Sequence, residues 1–243
     1  MLTEILRQPV VFYGAVLAAS VLSTATGVGG MVLLLPFAAL QFGAKEAVGI
    51  VTLFGLCQNI NKIVVFRHAI RWRIGWRMIA WSVPAAIAGS LVLPLVPADL
   101  FRKLLAGTVL LYLANDLFRL VPSRGRPERF LPLLSVVYGF LSGLIGTGNI
   151  VKGPLFTGLG LLKEAYVGTY AFTALFMNIP KLASYVATGT LGIDALRQSV
   201  PFLLLSVAGT YAGSILLRRV RSDIFYYAVT ASFVLSAVAL LLE

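Results

Sequence analysis

Three lysines, Lys62, Lys152 and Lys181, stand inside otherwise apolar stretches of this chain, and two of them share a setting: Asn59 lies three residues before Lys62, and Asn178 three residues before Lys181. Residues three apart occupy one face of a helix, so each pair offers an amide and an ammonium to the same neighbour. Two glycine-broken elements accompany them, Ser23-Thr24-Ala25-Thr26-Gly27-Val28-Gly29-Gly30 and Ser142-Gly143-Leu144-Ile145-Gly146-Thr147-Gly148-Asn149. Glycine there permits positive φ and close backbone approach. Helices starting just after these turns, at Met31 and Ile150, would aim unpaired N–H groups and partial positive charge at whatever faces them. Ammonium groups, amides and helix N-termini together are the chemistry of binding a small anion. A charge within a membrane helix is costly enough to be a functional candidate by default.

Each of these residues also has a plainer reading. Lys62 is about four residues from the end of its hydrophobic stretch and could snorkel to the interface. At about 1.5 Å per residue, Lys62 and Lys181 fall on opposite sides of the midplane, on the order of 18 Å apart, which casts them as entrance and exit attractors. Asn59, Asn61, Asn178 and Gln58 are nearer the middle and could hydrogen-bond an oxyanion directly. Lys152 follows the second glycine turn and corresponds to Leu33 in the first half. It is the best single candidate for direct charge neutralisation, the alternative being an interfacial position. The glycines could serve close helix packing instead. Pro180 should kink its helix and free a carbonyl.

The acidic residues exclude other chemistries. Glu46 and Glu164 occupy helix starts, where the dipole accounts for them. Asp99, Asp194 and Asp223 are in or beside loops, and Asp116 is near a helix end. With no carboxylate at a hydrophobic centre, a proton relay or an acidic cation site is disfavoured. His68, the only histidine, is expected to be solvated in a basic loop, and Cys57, the only cysteine, excludes an internal disulfide or a CxxC pair. No metal ligand set and no cofactor are expected, and there is no GxxxxGK[ST] loop for direct ATP coupling. Catalytic residues are expected to be absent.

The elements that must position these residues are membrane helices. Of 243 residues 59% are hydrophobic and 12% charged, and the mean hydropathy is +0.92, so lipid must cover much of the surface. Hydrophobic stretches run over 10–26, 31–42, 47–66, 76–96, 104–120, 131–145, 150–162, 165–185, 200–217 and 224–242. Six approach the ~20 residues needed to cross a bilayer, while the four flanking the glycine turns are shorter. The first stretch lacks a convincing cleavage site and belongs to the repeated unit, so it is kept as structure.

That unit recurs. A shift of 119 places Gly27 on Gly146, Gly29 on Gly148, Gly49 on Gly168, Asn59 on Asn178 and Lys62 on Lys181, and a shift of 124 places Ala88-Gly89-Ser90 on Ala212-Gly213-Ser214. The net charge of +11 is carried by short loops, at 67–77, 119–129 and 218–221, which reads as the positive-inside signal rather than a nucleic-acid surface. Equivalent loops of the two halves carry opposite charge patterns, so equivalent helices point in opposite directions. The expected fold is an all-α integral membrane protein of eight to ten membrane segments. It has two inverted repeats, 1–121 and 130–243, joined by a cytoplasmic linker, 122–129; each repeat is a glycine-broken hairpin, re-entrant or spanning, plus three transmembrane helices.

At these residues the chain resembles the TauE/SafE family of membrane permeases, often described as sulfite or organosulfonate exporters. The carriers are the duplicated glycine turns, each followed by an apolar run to Pro36 or Pro154, and the NxxK elements at Asn59 and Asn178. The resemblance covers nearly the whole chain and implies a transporter of small sulfur-containing anions such as sulfite or sulfoacetate, moving outward across a bacterial-type inner membrane. The expected substrate-binding residues are Thr26, Gly27, Gly29, Gly30, Asn59, Lys62, Gly146, Thr147, Gly148, Asn149, Lys152, Asn178 and Lys181. The expected partners are a small anion and the lipid bilayer, with homo-oligomerisation left open. Transport of a cation, through backbone carbonyls, or of another small solute is the alternative, and a membrane-embedded enzyme or assembly factor is the remaining one.

Overall fold

A computed structural model describes residues 9–26, 30–101, 103, 104, 107, 127–146, 148–161, 163–198 and 201–219. Gly27, Gly29, Thr147, residues 122–126, most of the 104–120 stretch and the whole of the 224–242 stretch lie outside the described residues. The regular elements among the described residues are helical: α1 (Pro9–Thr26), α2 (Gly30–Phe42), α3 (Ala44–Phe66), α4 (Trp72–Val92), α5 (Pro127–Ile145), α6 (Asn149–Gly158), α7 (Lys163–Ala187), α8 (Ile193–Gln198) and α9 (Pro201–Arg219).

Ala44–Ala69, Trp72–Leu95 and Glu128–Ile145 are each long and apolar enough to cross a membrane, and Val10–Ala25 and Leu204–Leu217 are shorter apolar helices. Two boundaries differ from those expected. α5 begins at Pro127, inside the segment read as linker, because proline fits the first turn of a helix and Glu128 complements its N-terminal dipole. The leg expected to be short at 131–145 is therefore long enough to span. The helices after the glycine turns start one residue early, at Gly30 and Asn149, and are short, with 13 residues in α2 and 10 in α6. At about 1.5 Å per residue these reach only ~20 and ~15 Å. α6 stops where Gly160 takes φ +73°, a conformation a helix does not continue through.

Helix pairing depends on missing side chains. Gly139 packs on the Ser82 carbonyl and Gly143 on the Ala86 carbonyl, so α4 and α5 run parallel at backbone contact. Gly209 packs on Ser20 and Gly213 on Val21 and Thr24, which makes α1 and α9 a second parallel pair. A Cβ on any of these glycines would collide with its neighbour, the expected logic where helices approach without a hydrophobic driving force. α3 and α7 instead run antiparallel, since Gly49 meets Leu191 just past the end of α7 and Gly168 meets Phe66 and Ile70 at the end of α3.

Polar contacts sort the helix ends into two groups. His68 bonds to Glu164 at 3.1 Å, and the Arg71 N–H donates to Thr169 Oγ1 at 2.9 Å, so the basic loop after α3 lies against the start of α7. His68 was expected to be merely solvated; it is exposed, but it also has this carboxylate partner. At the opposite end the Gly192 N–H donates to Glu46 Oε1 at 3.2 Å and Lys45 Nζ to the Pro94 carbonyl at 3.0 Å. Polar side chains lie inside, among an apolar core, and the outer surface carries large apolar side chains. Ser20, Ser23, Thr24, Thr52, Ser142 and Thr173 are buried, while Trp72, Trp76, Trp81, Leu204 and Tyr211 face outward. Water would penalise that distribution and lipid favours it.

Candidate functional site

The central antiparallel pair brings both NxxK faces into the interior. On α3, Lys62 is only 1% exposed, and its Nζ donates to Ser23 Oγ at 2.6 Å and to the Ser23 carbonyl at 3.1 Å. The lysine thus turns inward and does not snorkel. On α7, Lys181 Nζ donates to Ser142 Oγ at 3.1 Å and to Asn178 Oδ1 at 3.4 Å. The separation is 39 residues in both lysine–serine pairs, and each serine precedes its glycine turn by one helical turn.

These lysines have a definable electrostatic place. Ser23 and Ser142 belong to the last turns of α1 and α5, where carbonyls lack intrahelical donors and the dipole is negative. Cations there compensate the carbonyl ends of the hairpins. The N–H ends opposite them, at the starts of α2 and α6, keep their partial positive charge. At the second turn Gly146 takes φ +80°, open to glycine and strained for other residues, and Gly148 lies so close to Tyr138 that an added Cβ would sit 2.6 Å from its carbonyl oxygen. The Gly148 carbonyl accepts the Val151 N–H at 3.0 Å, which starts α6.

Lys152, the fourth residue of α6, is wholly buried. Its Nζ donates to Tyr138 Oη at 3.0 Å and to the Tyr170 carbonyl at 3.1 Å, and it lies 3.6, 4.7 and 5.4 Å from the ring centres of Tyr170, Tyr138 and Phe156. Tyr166 extends the aromatic wall, 5.6 Å from Phe156 and stacked on Tyr170. Tyr138 stands one turn before Ser142 on α5, so the partners of Lys152 and Lys181 share one face of that helix. Each of the three ammonium groups makes two hydrogen bonds among the described residues.

The amides divide by role. Gln58 Nε2 donates to the Ser20 carbonyl and hydroxyl at 2.9 and 3.0 Å, and Asn61 Nδ2 to Ser206 Oγ at 3.2 Å, so both tie α3 to its neighbours. Asn59 is buried on the Lys62 face. Asn178 is wholly buried, and its Nδ2 has no hydrogen-bond partner among the described residues. An unmet buried donor costs about 1–3 kcal/mol, which an acceptor ligand would relieve. Thr26, Gly30 and Asn149 are placed by their backbones at the hairpin turns. Among the described residues no carboxylate is buried, and no group of three metal-ligating side chains occurs.

The serines and the aromatic cage were not anticipated. Ser23 and Ser142 do open the repeated motif, and their 39-residue spacing to the lysines was a readable signal. The tyrosines were readable as an asymmetry, for Tyr138, Tyr166 and Tyr170 stand where the first half has Ala19, Ala47 and Val51.

A model of the sulfite exporter TauE/SafE family matches residues 12–240. The chain belongs to the TauE/SafE family. Comparison with curated proteins and with solved structures finds no match. Membership of TauE/SafE, with the apolar helices described above, makes the chain a multi-pass membrane protein of a transporter family. The three buried lysines, the paired serines and the Tyr138 cage all lie within the span that TauE/SafE covers.

Proposed function

We propose that the protein is a secondary permease for a small sulfur-containing anion, such as sulfite, sulfoacetate or a related organosulfonate. The anion binds between the two hairpins and moves outward across a bacterial-type inner membrane. The observation that carries this reading is the pair of buried lysine–serine contacts beside the unpartnered Asn178 Nδ2, with no buried carboxylate among the described residues. At a bilayer centre each lysine costs about 2.5–3.5 kcal/mol on insertion scales, so three cost on the order of 8–10 kcal/mol. Serine hydroxyls, carbonyls and rings offset part of that and supply no counter-charge. A bound oxyanion supplies it, accepting from Asn178 Nδ2 and the neighbouring Lys181 ammonium at one position on the path and from the Lys62 ammonium at another.

The packing supports the repeat organisation, with residues 1–121 and 130–243 as oppositely oriented halves. α4 of the first half packs on α5 of the second, α9 of the second packs on α1 of the first, and the equivalent helices α3 and α7 are antiparallel. The His68–Glu164 contact agrees with a cytoplasmic placement of the basic loop at 67–77 beside the start of α7, and the charge pattern puts the basic loops at 119–129 and 218–221 on that face too. Thr26, Gly27, Gly29, Gly30, Thr147 and Asn149 would contribute through the two turns.

Reconstituted protein tests the assignment through Asn178→Ala. Losing one hydrogen bond to a charged ligand costs about 1.5–3 kcal/mol, so sulfite or sulfoacetate flux at subsaturating concentration should fall roughly 10- to 100-fold. Unchanged flux would remove Asn178 from the site.

A further inference from the structure

We propose that the site selects doubly charged small anions over singly charged ones of equal size. This rests on the anion-transport reading and specifies its substrate class. The cationic groups outnumber what one monoanion can balance. Lys62, Lys152 and Lys181 are all buried, the partners of Lys152 and Lys181, Tyr138 and Ser142, stand one turn apart on α5, and no described carboxylate is buried with them.

Lys152 decides the case, because its position has no structural explanation in the helix itself. A cation in the first turn faces the positive end of the dipole and is repelled by it. Two oxygen acceptors and three aromatic rings hold it there, and rings at these distances attract a cation through their negative faces. The cage is confined to the second half, where Lys152 replaces Leu33 and two of its tyrosines, Tyr138 and Tyr170, replace Ala19 and Val51. The second hairpin has therefore acquired a positive charge together with the groups that keep it buried. The lysine–serine pairs lack that cage and occur in both halves, so they form the common anion site and Lys152 adds the second unit of charge selectivity.

The test is uptake by the wild-type protein in liposomes, with membrane potential clamped at zero and neutral pH on both sides. Sulfoacetate carries two negative charges there, isethionate has the same length and one, and taurine has no net charge. Sulfoacetate should be preferred over isethionate by ~10-fold or more in flux at subsaturating concentration, with taurine slower still. In Lys152→Met the sulfoacetate-to-isethionate ratio should fall towards one, and in Lys152→Arg it should stay above one. Equal wild-type flux of sulfoacetate and isethionate would overturn the charge selectivity while leaving anion transport standing. Absence of flux for every anion would overturn the transport reading and this one with it.

Discussion

Replacing Lys181 by methionine is expected to lower sulfite or sulfoacetate flux by roughly 100-fold or more, while the purified protein stays as stable as the wild type or becomes more stable. Removing one side of a buried, hydrogen-bonded charge interaction costs about 2–5 kcal/mol, and 1.4 kcal/mol is tenfold. The empty protein responds differently. Among the described residues Lys181 is buried with the Ser142 hydroxyl and the Asn178 carbonyl oxygen as its partners, so methionine removes a desolvated charge and keeps most of the side-chain volume. Lys62→Met should behave likewise, because among the described residues Lys62 is held by Ser23. If the lysines served only to cap the ends of α1 and α5, the result would reverse. Stability would drop by the ~0.3–1 kcal/mol of a cation at a helix C-terminus, and flux would fall only with the folded fraction. Flux in liposomes measured beside thermal unfolding in detergent separates the two.

The second large effect concerns assembly. Gly143→Leu is expected to prevent the protein from being recovered as a stable, monodisperse species. The first atom of any side chain at this position would enter the Ala86 carbonyl, with the Ser90 N–H 2.8 Å away, and backbone cannot yield as a flexible side chain can. The Gly143 carbonyl also accepts the Tyr185 hydroxyl, so parting α4 from α5 disturbs α7 as well. Overpacking ordinarily costs about 1–3 kcal/mol, and a backbone collision at a parallel helix pair belongs at or above the top of that range. Gly14→Leu is the control, since an added Cβ there meets nothing within 4 Å. Recovery by size exclusion should be near wild type for Gly14→Leu and lost for Gly143→Leu.

The helices themselves were plain in the chain because lipid imposes long apolar runs, and α3 and α4 appear within a few residues of their expected limits. The boundaries that moved did so through local rules. Pro127 and Glu128 begin α5 early, and Gly160 closes α6 early. The inward turn of Lys62 was not readable from position alone, since a lysine near a helix end snorkels or turns in according to what faces it, and that is settled by Ser23, 39 residues away. The same is true of Lys152: its burial depends on three rings drawn from α5, α6 and α7. Asn59, Lys62, Asn178 and Lys181 were identifiable because amides and cations are conspicuous in apolar helices. Serines are not conspicuous there, and Ser23 and Ser142, though they open the repeated element, were not singled out as partners of the lysines.

The most direct measurement is thermal unfolding of the purified protein with and without sulfite, for the wild type and for Lys62→Met/Lys181→Met. A ligand at about 100 times its Kd stabilises the folded state by about 2.7 kcal/mol, enough to raise Tm by several degrees. The wild type should show that rise and the double variant should show none. An equal rise in both proteins would place the anion away from the lysine–serine pairs and contradict the site proposed between the hairpins.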